Sequence, residues 1–193
     1  MAIHYPFTEP DSIIFVKMDS DSTAFAHVSI RIPEALRIRL THDAEQRSIS
    51  LNSLIMAILA KYDSFDKIVE GTRAIPFSGA FVAEVLDITS IEEMESIARK
   101  LGANVVKSSF ALRGIPFNLD NLIKFYFEPL SQHSGWYTFN TYFEGTNRKL
   151  IFQHSHGAKW TAFLKHYYAA ILRSATGTEP EVVVVNGTLT FTI

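Results

Sequence analysis

The stretch from residue 24 to residue 62 constrains this chain most, because its hydrophobic period changes within about 35 residues, too few to enclose a core alone. Val28, Ile30 and Ile32 alternate with His27, Ser29 and Arg31, the period of a half-buried strand. Pro33 ends the alternation and suits the first turn of a helix. The spacing then predicts a helix over Glu34–Gln46, with Leu36, Leu40 and Ala44 four apart on one face. Arg47, Ser48 and Ile49 form a short break, and Ser50 is a good N-cap for a second helix. That helix carries Leu51, Leu54, Ile55, Ile58, Leu59 and Tyr62 in a single apolar stripe.

A strand with no partner and two short amphipathic helices do not make a stable unit. Two copies would: the strands pair antiparallel, and four helices bury their stripes against one another. The pattern therefore predicts a homodimer or a higher even oligomer.

Residues 27–62, HVSIRIPEALRIRLTHDAEQRSISLNSLIMAILAKY, resemble the ribbon-helix-helix DNA-binding module of Arc- and MetJ-type repressors. The matching features are the alternating strand ending in Arg-x-Pro, the Leu-rich first helix, and the Ile-Ser-x-x-Ser-Leu-Ile opening of the second. The likeness covers about a fifth of the chain. It implies that the paired strands enter the major groove of double-stranded DNA, where each base pair shows a distinct pattern of donors and acceptors. With Val28, Ile30 and Ile32 turned to the core, His27, Ser29 and Arg31 would face base edges. Arg31 suits guanine O6 and N7, and a good bidentate pair is worth about 1–3 kcal/mol of discrimination. The N–H groups opening the second helix, around Leu51, Asn52 and Ser53, would hold a backbone phosphate. Ser50, Ser53, Arg47, Arg37 and Arg39 are further phosphate candidates, setting register and not sequence preference.

Charge is distributed to match. Residues 24–62 carry a net of +2, residues 1–23 a net of −3, and residues 63–193 a net of −1, within a whole-chain charge of −2. The pattern divides the chain into an arm at 1–23, the module at 24–62, a connector at 63–77 and a larger domain at 78–193. In the arm, residues 12–18 (SIIFVKM) could pair as a strand.

The larger domain reads as helices followed by β-β-α-β-β, an α+β fold with an antiparallel sheet of about four strands. Short-range signals place a helix at 80–87, and a capping box at Ser90 and Glu93 opens another to about Val106, with Gly102 as its weak point. Asn118 or Asp120 caps a helix to about Gln132. Strands are expected at 136–144 and 149–156 around a four-residue loop, Gly145 to Arg148. A helix is expected at 158–175, burying Trp160, Phe163, Leu164, Tyr167, Tyr168, Ile171 and Leu172. Asn186-Gly187 joins two last strands at 181–185 and 188–193. The segment around 154–172 is similar to C-terminal domains of archaeal ribbon-helix-helix fusions, a likeness that carries no function.

The domain holds no Gly-rich phosphate loop, no Gly-x-Ser-x-Gly and no His-Glu-x-x-His, and its scattered carboxylates are explained by helix capping, so an enzyme is not expected. Its histidines are the one chemical suspicion. His154 and His156 share a strand face, with His166 on the next helix and His133 before the sheet, a set that can bind zinc, nickel or copper. Nickel-responsive ribbon-helix-helix regulators also use a His-x-His pair, together with a Cys that this chain lacks. Hydrogen-bonding histidines at a strand end are the plainer reading, and no cofactor is expected.

Cysteine is absent, which excludes disulfides, thiol catalysis and thiolate metal sites. A mean hydropathy of +0.10 and 12% aromatics exclude a wholly disordered chain. No apolar run reaches the roughly 18 residues of a membrane span, and the first residues lack the features of a secretory signal, so a cytoplasmic protein is expected. The expected function is sequence-specific DNA binding and transcriptional regulation by a homodimer, with the larger domain sensing a small-molecule effector or setting the oligomer. The alternatives are a dimeric interaction protein that does not bind DNA, a metal-responsive regulator using His154 and His156, and an enzyme whose site lies in the larger domain.

Overall fold

The computed structural model describes residues 27–72 and 77–193. The arm at 1–23, its strand expectation at 12–18, and the expected connector's residues 73–76 lie outside the described residues.

Helix α1 runs over Glu34–Gln46, as its spacing predicts. Ser48 closes it in the left-handed region, φ 55°, while the Ile49 N–H donates to Ala44 O and the Ser48 N–H to Glu45 O. These two bonds satisfy carbonyls that the helix end would otherwise leave open. Helix α2, Leu51–Lys61, starts at Ser50, whose Oγ accepts from the Ser53 N–H at 3.0 Å. Ala44 and Leu54 are buried where the helices meet. The rest of the α2 stripe is uncovered: Ile58, Leu59 and Tyr62 are exposed, and Leu51 and Ile55 only half-buried.

Residues 27–33 form no strand in the single chain. Val28 is 75% and Ile30 57% exposed. A lone strand has no ladder to join, so the alternation at 27–32 has no chance to express itself without a second copy.

The expected connector is largely helix. A wide π turn, Tyr62–Asp66, carries α2 directly into α3, Lys67–Thr72. Lys61 Nζ pairs with Asp66 across that turn at 2.6 Å, and Phe65 packs on His133 with ring centroids 5.4 Å apart. The polar composition of 63–71 hid a helix held by side-chain pairs and by contact with the larger domain.

In that domain α4 is Gly79–Ile88, and α5, Ile91–Leu101, opens on the expected capping box, with Ser90 Oγ accepting from Glu93 N–H and the Glu93 carboxylate accepting from Ser90 N–H. The helix does not reach Val106. Gly102 adopts φ 47° and ends it, and α6 restarts at Asn104–Leu112. Asn118 caps α7, Leu119–Leu122, and the helical path continues through a second π turn, Ile123–Phe127, into α8, Glu128–His133. Pro129 explains that wide turn: it has no N–H for the Phe125 carbonyl, and its ring would crowd that carbonyl in a regular helix.

The sheet contains β1 (Thr138–Glu144), β2 (Asn147–Gln153), β3 (Glu181–Val185) and β4 (Thr188–Thr192) in the order β1-β2-β4-β3, all antiparallel. The β1–β2 loop has two residues, Gly145 and Thr146, not four, because Glu144 already pairs with Asn147. Gly145, φ 63°, takes the first loop position. Helix α9, Gly157–Thr176, lies between the two hairpins and buries the seven residues its spacing predicts. Phe152 is the hub of this core: its ring meets Phe127, Tyr137, Tyr168 and Phe191 at centroid distances of 4.7–5.7 Å. Each such side chain contributes about 1.5–3 kcal/mol on burial. Among the described residues, no helix is long and apolar enough to cross a membrane.

Candidate nucleic-acid interface and the histidine cluster

His27, Ser29 and Arg31 are all exposed, but so are Val28 and Ile30 between them. A single chain therefore does not sort this segment into a core face and a groove face. Among the described residues Arg31, Arg39 and Arg47 form no ion pair.

Arg37 is different. Its guanidinium grips Glu34 through two hydrogen bonds, Nε to Oε2 at 2.8 Å and Nη2 to Oε1 at 2.6 Å. That bond holds the Glu34 carboxyl below its usual range and raises Arg37. A phosphate would have to displace the carboxylate. Arg37 and Arg39 also point about 200° apart around the helix axis, so they do not share one phosphate-facing side.

At the start of α2, one N–H expected to be free is taken. Ser53 N–H donates to Ser50 Oγ, and the two hydroxyls share a hydrogen bond of 2.8 Å. The groups left for an anion are the Leu51 and Asn52 N–H, which have no acceptor within the helix. Asn52 and Ser53 are exposed, and Arg47 stands three residues before the cap.

His154, His156 and His166 do not come together as one ligand set. His154 and His156 stack with centroids 5.9 Å apart, but both His154 ring nitrogens and the His156 Nε2 are committed to other partners. His154 Nδ1 accepts from the His156 N–H at 3.1 Å, which places its proton on Nε2, donating to Thr161 Oγ1 at 3.2 Å. Thr161 passes the chain on to Gly157 O. His156 Nε2 donates to Gly135 O at 2.9 Å. His166 faces elsewhere, 3.4 Å from the Glu95 carboxylate, which also receives Arg99. Among the described residues no group of three or more His, Asp or Glu side chains is arranged to hold a metal ion. Burial, and then the neighbouring His156, lower the His154 pKa, so it works as a neutral bridge between β2 and α9.

Two features had no signal in the sequence. An open groove of about 550 Å³ runs between α4 and the start of α9, lined by Leu86, Asp87, Ile91, His156 and Lys159 among others. Lys159 Nζ crosses it to the Asp87 carbonyl at 2.9 Å. The second feature is a buried group of tyrosines. Tyr126 and Tyr167 share a hydrogen bond of 3.2 Å, and Tyr137 donates to Phe127 O at 3.3 Å. The Tyr168 hydroxyl is buried beside Tyr137 and makes no well-formed hydrogen bond. Burial pushes all four phenols up, so they stay protonated. Their helical spacing marks Tyr167 and Tyr168 as core, and nothing in it foretells the meeting with Tyr126 and Tyr137 from two other parts of the chain.

Compared with protein-family models, with curated proteins and with solved structures, the chain matches none.

Proposed function

We propose that the protein is a homodimeric, sequence-specific DNA-binding regulator whose N-terminal strands pair across two copies and enter the major groove. The observation that carries the reading is the uncovered apolar surface of residues 28–62. Val28, Ile30, Ile58, Leu59 and Tyr62 are all exposed in one chain, on a unit with only Ala44 and Leu54 buried. A second copy covers such a surface and supplies the missing strand.

Pairing would turn Val28, Ile30 and Ile32 inward and leave His27, Ser29 and Arg31 facing the groove. Arg31 would read a guanine, while Arg47 and the Leu51 and Asn52 N–H groups hold phosphates. The sequence likeness to ribbon-helix-helix repressors supports the same assignment. The larger domain would then report to the module through the first π turn. Asp63 on that turn interacts electrostatically with Arg113, and the Phe65 ring packs tilted against His133. A shift in the larger domain would move α2 as one piece.

The rival reading is a dimeric interaction protein using the same apolar surface, and the tie between Arg37 and Glu34 favours it by removing one cation from the phosphate count. Fluorescence anisotropy with duplex DNA separates the two. The DNA reading predicts binding that falls steeply between about 50 and 200 mM salt through counterion release. It also predicts that Arg31→Ala loses preference for the cognate sequence more than it loses folding stability. A folded dimer with no affinity at low salt rejects it.

A further inference from the structure

The two edges of the sheet are treated differently. On β1, hairpin pairing sends the Phe139, Thr141 and Phe143 N–H groups away from β2, toward the free edge. The first two have acceptors there: Phe139 N–H donates to Ser131 Oγ of α8 at 2.9 Å, and Thr141 N–H to the Asn140 side chain at 3.0 Å. On β3, the two-residue Asn186-Gly187 loop makes Val185 and Thr188 a hydrogen-bonded pair, so Val183 and Glu181 also turn their backbone groups to β4. Val182 and Val184 turn theirs outward, and among the described residues nothing meets them.

The strand is Glu-Val-Val-Val-Val, with Val183 60%, Val184 40% and Val185 58% exposed. Its edge-protecting features, Glu181 and the preceding Pro180, are confined to its N-terminal end, and no lysine or bulge interrupts Val182–Val185. We propose that β3 is a second self-association surface, at which it pairs antiparallel with β3 of another copy to make one continuous eight-stranded sheet.

The strand is its own complement. A two-fold axis through Val183 sets Val182 opposite Val184 of the other copy, so the outward groups of both strands meet in four hydrogen bonds with no slip in register. Charge agrees with this register. Each Glu181 falls opposite a Val185, and the two carboxylates stand about 13 Å apart along the ribbon and do not face each other. On the open face Val183 meets Val183, and on the helix-covered face Val182 meets Val184, both favourable cross-strand pairs. This interface is isologous and separate from the N-terminal module. With both interfaces in use and closed by dihedral symmetry, two ribbon dimers join in a four-chain assembly that presents two ribbons.

Sedimentation equilibrium of the full-length protein tests this, using Val183→Lys and Val184→Pro. Val183→Lys opposes two like charges at the two-fold axis, and Val184→Pro removes an outward N–H without touching the β3–β4 ladder. Each variant is expected to keep the wild-type far-UV circular dichroism and to sediment at half the wild-type mass. The mass ratio is read between two proteins with the same N-terminal module, so it holds whether or not the ribbons pair. Equal masses for wild type and both folded variants overturn the proposal. A wild-type chain that gains mass only on deletion of residues 2–23 also overturns it, because residues 12–18 then cover the edge within one chain.

Discussion

The backbone of His154 lies against Gly187: its N–H donates to Gly187 O at 3.1 Å, and a Cβ built on Gly187 would stand 2.6 Å from His154 O. Gly187, φ 77°, and Asn186, φ 47°, both occupy the left-handed region that a tight two-residue hairpin requires. The end of β2 is thereby locked to the β3–β4 turn. Gly187→Ala adds backbone strain and a clash with a carbonyl that cannot move away. It is expected to cost about 2–3 kcal/mol, read as a lower urea midpoint with an unchanged m-value. Gly145→Ala, with open space around its Cβ, is expected to cost less.

The tyrosine group divides into satisfied and unsatisfied hydroxyls, and stability should follow that division. Tyr168→Phe removes a buried hydroxyl that makes no well-formed hydrogen bond and is expected to be neutral or to stabilise by up to about 1 kcal/mol. Tyr126→Phe leaves Tyr167 without its partner and is expected to destabilise by about 1 kcal/mol. Chemical denaturation of the two variants distinguishes them by sign.

Arg113 answers the gap that Pro129 opens. Its Nη1 donates to Phe125 O at 3.4 Å, the carbonyl that lacks an N–H from residue 129, and its guanidinium sits 5.6 Å from the Phe125 ring centroid. Partial burial lowers the Arg113 pKa, while Asp63 pulls it back up. Arg113→Met is expected to cost about 1 kcal/mol in the wild type. In a Pro129→Ala background the restored N–H serves the carbonyl, and the same change is expected to cost less. A double-mutant cycle measures the difference.

His154 predicts a pH dependence with a definite sign. Burial, then His156, lower its folded pKa below the ordinary value of about 6.5, so the unfolded chain binds the proton more readily. Its contribution is intact above the unfolded pKa and is lost as pH falls from there through the folded pKa. Protonation also turns Nδ1 from acceptor to donor and breaks its bond to the His156 N–H. Thermal unfolding from pH 8 to pH 5 should therefore show a smaller fall in Tm for His154→Gln than for wild type.

Much of this fold was legible in the sequence where local chemistry decides the outcome. The α1 bounds, the Ser50 cap, the Ser90–Glu93 capping box, the seven buried residues of α9 and the Asn186-Gly187 turn all rest on neighbours within a few positions. The failures share a different cause. Gly102 ends α5 by taking φ 47° and ψ −147°, a conformation essentially reserved for glycine that cannot continue a helix. The helix at 62–72 depends on Lys61, Asp66 and a distant His133, which no local period reveals. The candidate site was legible only as residue types. Strand pairing at 27–32 needs another chain, Arg37 is diverted by Glu34, Ser53 N–H is diverted by Ser50, and His154, His156 and His166 are held in separate hydrogen bonds and an ion pair.

The most direct test of the account is whether two copies of residues 27–32 lie side by side. The chain has no cysteine, so Ser29→Cys carries a single nitroxide on an exposed position. An antiparallel ribbon places the two labelled backbones within roughly 10 Å, and the spectrum of the fully labelled protein should broaden by dipolar coupling that dilution with unlabelled chain removes. A spectrum that is unbroadened at full labelling and unchanged by dilution contradicts the pairing, and with it the DNA-binding ribbon.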